Sequence, residues 1–409
     1  MFSLLRVHES MQKEVISEAS SACTEVVPPS GPLSGLKVLE FPSIGPAPFC
    51  GMLLADLGAD VIRLERPEGS ALGESLQPQN DLLGRGKRSF IVNLKAPEAI
   101  PTVLNMIEKA DVLIEGFRPG VMERLGLGPE VALARNSRLI YGRMTGWGQS
   151  GPLANAAGHD INYLALTGAL HAIGRHGEAP VPPLNLVADF GGGAMYLALG
   201  IVSALLERQQ SNRGQVIDAA IVDGASSLMT LMYGLLAQGR WRDTRGDNSL
   251  DGGAPWYDSY ACRDGLFVCI GPIEAKFFAE LMRRLEISTD RFPDHEDRAC
   301  WPKLREALVT VFASRDRAEW IALLDGSDAC FAPVLSMSEA PYHPHLVARK
   351  TFVTHEGIVQ PAPAPRFTRT PGRIRRSPPL PGEGGADALR EWGVDLATEH
   401  FQLAAQQVA

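Results

Sequence analysis

The segment GHDINY, from Gly158 to Tyr163, sets an imidazole and a carboxylate side by side behind a glycine. Further along, NLVADFGGG carries a second acid, Asp189, with its own glycine run. A base, an acid and backbone amides at two predicted helix starts are the parts needed to move a proton next to a carbonyl. Singly, neither string says much. A lone histidine is most often a core or capping residue, and Asp189 alone reads as a helix N-cap ahead of Gly191. Together they make His159 and Asp189 the candidate proton carriers. Imidazole suits the task because its ordinary pKa lies near neutrality. A carboxylic acid titrates far lower, so Asp189 needs burial in a largely apolar pocket to take part. Gly158 lets a helix start tightly and puts Asp160 in its first turn. The amides there point outward at the positive end of the helix dipole, where they would stabilise an enolate oxygen. The side chain of Asp160 reads, from the residues alone, as a cap of that helix.

The chain carries a formal net charge of -8, which argues against general attraction to nucleic acid. An anionic ligand must therefore be held by a local basic cluster. Arg66 closes VIRLER; Arg85, Lys87 and Arg88 precede FIVNL, and Lys95 follows it; Arg118 and Arg124 follow DVLIEG. Each flanks a predicted strand, and ligands collect at strand ends in open sheets. Arginine offers phosphate a bidentate fork and lysine a point charge. Arg66, Arg85, Lys95, Arg118 and Arg124 are the candidates for phosphate contact. Met144, Met195, Met229 and Met232 have adaptable side chains but read as core.

These residues sit in an alternating pattern. KVLEF (37–41), VIRLER (61–66), FIVNL (90–94), DVLIEG (111–116) and SRLIYGRMTG (137–146) read as strands. Phe49–Leu57 and Pro97–Lys109 read as helices between them. Strands separated by single helices predict an α/β fold on a parallel sheet with right-handed crossovers. The first loop, IGPAPF, has no GxGxxG, so a dinucleotide fingerprint is absent. Met195–Glu207 and Asp218–Leu236 read as long apolar helices, Gly239–Gly253 as a linker, and residues 266–285 as a strand, a loop and an amphipathic helix. That predicts a large domain over 32–236, a linker over 237–254 and a small α+β domain over 255–352. Residues 353–409 return to the large domain through a Pro- and Arg-rich extended stretch, 361–381, and close as a helix over 386–402.

With 409 residues, 45% hydrophobic and 21% charged, the composition is that of a globular protein with room for two cores. No apolar run is expected to approach the roughly 20 residues of a membrane span, so no membrane partner is predicted. Cys23, Cys50, Cys262, Cys269, Cys300 and Cys330 lack CxxC spacing. They read as reduced thiols of a cytoplasmic protein, with no metal site. Residues 1–31 are polar and acidic and read as a flexible extension.

Taken in order, GLKVLEF, LADLGADVIRLERP, RGKRSFIVNLK, DVLIEGFRPGVMERLGLG, RMTGWGQSGP, GHDINY, NLVADFGGG, GQVIDAAIVDG and DACFAPVL resemble the family III CoA-transferases. More narrowly, they resemble the members of that superfamily that racemise thioesters. The match runs from about Pro32 to Phe367. The resemblance implies a Rossmann-like large domain, a small domain and a homodimer whose two chains interlock. It implies a 1,1-proton transfer at the alpha carbon of a 2-methylacyl-CoA, with CoA as part of the substrate and no separate cofactor. The family's histidine and aspartate fall on His159 and Asp189, and its supporting pair of acids on Asp160 and Glu274, which without the family pattern would read as a surface glutamate. It places Val92, Asn93 and Leu94 at the adenine, and it adds Gly116, Phe117, Gly158 and Tyr163 to the basic residues as CoA-binding positions. Two other readings remain open. A CoA-transferase would use Asp160 as a nucleophile and pass through an aspartyl anhydride. A non-catalytic CoA-binding protein would keep the basic cluster and lose the proton-transfer set. The histidine ahead of Asp160 and the acid at Glu274 favour the racemase.

Overall fold

A computed structural model describes residues 31–67, 76–96, 99–292 and 294–395. The extension expected over 1–31 lies outside them apart from Gly31, as do residues 396–402 of the expected closing helix; within the described residues that helix is shorter than expected, running over Gly385–Glu391 and giving way to a turn at Trp392.

Six short apolar stretches form one sheet: β1 (Lys37–Glu40), β2 (Asp60–Glu65), β3 (Arg88–Ile91), β4 (Val112–Glu115), β5 (Ile140–Thr145) and β6 (Gln215–Ala220). Their order is β3-β2-β1-β4-β5-β6, with every neighbouring pair parallel. The central strands β1 and β4 are buried almost throughout because helices cover both faces, whereas the edge strand β6 is largely exposed over its first half. Successive side chains take opposite sides. Val38, Val61, Val112 and Ile140 face the helices Pro46–Asp56 and Met195–Ser211. Leu39, Ile62, Leu113 and Tyr141 face Ile100–Lys109, Pro129–Arg135 and Gly385–Glu391. The chain winds outward from β1 to β3, then returns to place β4 on the other side of β1. The crevice between the ends of β1 and β4 is thus the topological switch point, where such sheets bind ligands.

Two expectations are corrected here. Asp218–Leu236 is not one helix. Its first residues belong to β6, paired with β5 from Ile140↔Gln215 to Thr145↔Ala220, and the rest splits into helices Ile221–Leu228 and Thr230–Ala237. Periodicity cannot separate a short buried strand from a helix; the open edge of β5 decides it. The second concerns membrane-length segments. Leu186–Ser211 is a continuous helix of 26 residues, long and apolar enough by length and composition to cross a membrane. Asp189 and the glycines after it hid that continuity in the sequence. One side of this helix buries Leu197, Ile201 and Ala204, while Met195, Leu199, Val202 and Leu206 are exposed on the chain taken alone.

The antiparallel strands β7 (Asp258–Ala261), β8 (Phe267–Ile270) and β9 (Phe331–Pro333) form a second sheet in sequence order. Helices Ala275–Arg284, Trp301–Phe312 and Arg317–Leu324 accompany it, around a separate core containing Trp256, Phe278, Leu281 and Trp320. The loop before it is tied around the fully buried Asn248, whose Nδ2 donates to the carbonyls of Arg242 and Thr244, both at 3.0 Å, and to Asp251 Oδ2 at 2.8 Å. After the hairpin β10 (Phe352–His355) and β11 (Ile358–Pro361), the Pro- and Arg-rich stretch runs back to the first sheet. There Arg373 N donates to Asp56 O and Ser89 N to Glu383 O, both at 2.9 Å.

Candidate active site

The loops that leave β1, β4 and β5 at their carboxyl ends meet at the switch point and line a cavity of about 320 Å³. Ser43 and Gly45 come from the first loop and Pro46 from the helix it enters, Gly116, Phe117 and Arg118 from the second loop, and Met144 and Thr145 from the end of β5, with Trp147 in the loop after it. Gly158, His159, Tyr163 and Asp189 complete its wall.

His159 is the N-cap of the helix Asp160–Leu166, in an extended conformation at φ -132°. Its backbone N–H donates to Asn162 Oδ1 at 3.0 Å, which fixes the start of the helix and leaves the imidazole exposed on the cavity wall. Tyr163, in the same short helix, donates its hydroxyl to the carbonyl of Gly158 and sets its ring edge-on to Trp147, with centroids 4.8 Å apart. Gly146 and Gly158 make room for that ring: a Cβ would stand 2.0 Å and 2.8 Å, respectively, from Tyr163 Cε1.

Asp189 lies inside a π-helical segment, Leu186–Ala194, that runs directly into the helix Met195–Ser211. It is therefore not the N-cap that the residues alone suggest, and π-turns of this kind are frequent at functional sites. Its backbone N–H donates to Asp160 Oδ2 at 2.8 Å. Burial pushes the Asp189 carboxyl up to about 6; the nearby charge of Asp160 adds to the rise, and a hydrogen bond with the Asn185 side chain opposes it. Burial also raises Asp160, against the pull of the amides of Asp189 and Ala188. Tyr163 is raised by burial and by Asp189, and held back by Arg118, so the phenol, the carboxylate and the guanidinium share one neighbourhood. Gly45, at φ +67°, brings the first loop so close that a Cβ there would lie 3.1 Å from Asp189 Oδ2. The glycine run after Asp189 serves packing. A Cβ on Gly192 would meet Ala225 N at 2.5 Å, and one on Gly224 would meet Gly192 O at 1.8 Å. Glycines on both partners let the π-segment lie directly against helix Ile221–Leu228.

The basic residues divide. Arg118 lines the cavity. Arg66, Lys95 and Arg124 are exposed beyond the carboxyl ends of β2, β3 and β4, outside the cavity wall. Asn93 is exposed beside Lys95, with its Oδ1 accepting from Lys95 N at 3.1 Å, while Val92 is buried and Leu94 packs on the core. Arg85 is placed elsewhere, against the expectation that it contacts phosphate. Its buried guanidinium donates twice to Asp56, at 2.6 Å and 3.2 Å, and at 2.8 Å to both Gln360 Oε1 and Pro361 O. Lys87 is fully buried on Glu40 at 2.7 Å, and Arg88 is held by Asp60 and Glu391. These three join the sheet to its surroundings, a task that composition does not separate from ligand binding. Glu274 is exposed at the N-cap of Ala275–Arg284, a helix that packs with the second sheet, and does not line the cavity.

Sequence reasoning missed Gly45, Trp147 and Asn185. The first two lie in the loops that follow β1 and β5, so their place beyond the carboxyl ends of the two strands that flank β4 was the available signal.

A sequence profile of CoA-transferase family III matches residues 33–384. The chain is 46% identical over 364 residues to alpha-methylacyl-CoA racemase of Mus musculus, covering 88% of this chain and 93% of that protein. It is 43% identical over 379 residues to alpha-methylacyl-CoA racemase of Homo sapiens, covering 92% and 97%. Among solved structures, a CAIB/BAIF family protein from Brucella suis superposes with a TM-score of 0.77 at 27% identity, over 89% of this chain and all of that one.

Proposed function

The chain belongs to CoA-transferase family III, and we propose that it is an isomerase that interconverts (2R)- and (2S)-2-methylacyl-CoA thioesters through an enolate. The carrying observation is that two groups able to carry a proton line one cavity: His159, and an Asp189 whose carboxyl burial pushes up to about 6. A carboxyl poised there is ionised often enough to act as base and protonated often enough to act as acid. One of the pair takes the alpha proton from one face, and the other returns a proton to the opposite face. The developing oxyanion falls to the first amides of helix Asp160–Leu166, which are fixed before reaction. Arg118 holds a CoA phosphate at the cavity mouth, and Arg66, Lys95 and Arg124 extend the phosphate track along the strand ends. CoA arrives as part of the substrate, and the chemistry requires no separate cofactor.

The reading includes a homodimer. Leu199, Val202 and Leu206 on one helix and Leu231, Tyr233 and Leu236 on another form exposed apolar faces that a second copy would cover. Glu274, which does not line the cavity of its own chain, then reaches the Asp160 of the partner. The reading places the enzyme in the cytoplasm, with Cys50, Cys262, Cys269, Cys300 and Cys330 as free thiols.

The test uses one enantiomer of a 2-methylacyl-CoA in deuterated water without any acceptor acid. Alpha deuteration and loss of optical purity are expected. In His159→Ala and Asp189→Ala, racemisation should be abolished, with exchange surviving for one enantiomer only and CoA affinity close to that of the unmodified protein. Thioester exchange that requires a free carboxylic acid, with no alpha deuteration, would overturn the reading in favour of Asp160 as a nucleophile.

A further inference from the structure

Glu115 is the last residue of β4 and is fully buried, yet it does not line the cavity. Its two carboxylate oxygens are committed to different tasks. Oε2 accepts from the backbone N–H of Phe117 at 2.7 Å, closing the turn by which the chain leaves the strand. Oε1 accepts from Arg143 Nε at 2.9 Å, across the register pair Glu115↔Arg143 between β4 and β5. The far end of the same guanidinium donates to both oxygens of Glu123, at 2.8 Å and 3.3 Å. Glu123 lies in the short helix Val121–Arg124, just after the loop 116–120. One arginine thus joins the residue that opens this loop to a residue that follows its close. The loop carries Phe117 and Arg118 into the cavity. Phe117 is further set edge-on against Phe41, with centroids 6.3 Å apart.

We infer that Glu115 is a positioning residue whose carboxylate, clamped by Arg143 and Glu123, holds the Phe117 amide so that Arg118 meets the CoA portion of the substrate in a fixed geometry. An apolar filler at this place would bury as well but could not orient a backbone N–H, and two carboxylates sharing one arginine define one arrangement of the loop. The inference rests on the reading of the cavity as a CoA thioester site, and its test separates the two.

Steady-state kinetics are measured for the unmodified enzyme, Glu115→Gln, Glu123→Gln and Arg118→Ala, on a 2-methylacyl-CoA and on the matching pantetheine thioester. Glutamine at 115 can satisfy Phe117 N or Arg143, not both. KM for the CoA thioester should rise by about tenfold in Glu115→Gln, with a smaller change in kcat and little change on the pantetheine substrate. Glu123→Gln alters a half-exposed group and should fold in any case; a rise in KM of about threefold, again selective for the CoA substrate, is expected. Equal losses on both substrates would mean general damage and would overturn the inference, as would no loss on either. If Glu115→Gln does not fold, Glu123→Gln decides by the same criteria. A selective loss in Arg118→Ala without one in the clamp variants rejects only the role of Glu115. No selective loss in Arg118→Ala rejects the CoA assignment itself.

Discussion

The carboxylate of Asp160 accepts the backbone N–H of Asp189 at 2.8 Å, so the acid beside the histidine anchors the segment that bears the second candidate proton carrier. The link spans two elements, the first turn of helix Asp160–Leu166 and the π-segment Leu186–Ala194. It also places one negative charge close to the other, which with burial keeps the Asp189 carboxyl well above its ordinary range.

Asp189→Asn should inactivate the enzyme and stabilise the fold. The Asp189 carboxyl rises from 3.8 to about 6 on folding. Between those values the folded chain binds more protons than the unfolded one, so its contribution to stability falls as pH rises through that window and the penalty is complete above it. Asparagine carries no such penalty. A gain of about 1 to 2 kcal/mol is expected at neutral pH, less than the whole shift because the carboxyl is partly exposed to water. The gain should vanish below pH 3.8. Thermal unfolding on both sides of the window checks this. In the unmodified enzyme, turnover of the enantiomer for which Asp189 is the base should fall as pH drops through about 6.

The basic residues should separate by phenotype. Arg118→Ala or Arg66→Ala should weaken CoA thioester binding by roughly 1 to 3 kcal/mol, with less effect on a pantetheine thioester and little on stability. Arg85→Ala should do the reverse. It leaves Asp56 buried without its partner, which costs about 3 to 5 kcal/mol of stability, while CoA affinity in the folded fraction stays close to that of the unmodified protein. Denaturant unfolding beside calorimetric CoA binding distinguishes the two classes.

Hybrid dimers test the placement of Glu274. Glu274→Ala and Asp160→Ala chains, each inactive as a homodimer, are co-expressed and the hybrid is isolated. With acids paired across subunits, the hybrid has one site lacking both and one site intact, so part of the activity returns. No regained activity in isolated hybrids places both acids in the same chain.

Much of this protein follows from residue type and local order. Val38 and Leu39, and the runs like them, are short apolar runs bounded by turn residues, a length that suits buried strands, and the spacing of single helices between them makes the sheet parallel. His159, Asp160 and Asp189 stand out because imidazole and carboxylate beside glycine are local signals. Other features depend on contacts distant in the chain. Asp218–Ala220 is a strand because β5 offers an unpaired edge, which no window of sequence contains. Arg85 and Arg118 are the same residue type next to strands of the same sheet, yet one is neutralised by Asp56 and the other opens on the cavity. The rise in the Asp189 carboxyl comes from burial and from Asp160, and Gly45 is needed both for its positive φ and because its loop crosses that carboxylate. Burial, and which charge stands next to which, are properties of the assembled chain: residue chemistry sets which groups are able to move a proton or hold a phosphate, and packing between distant segments sets which of them face the cavity.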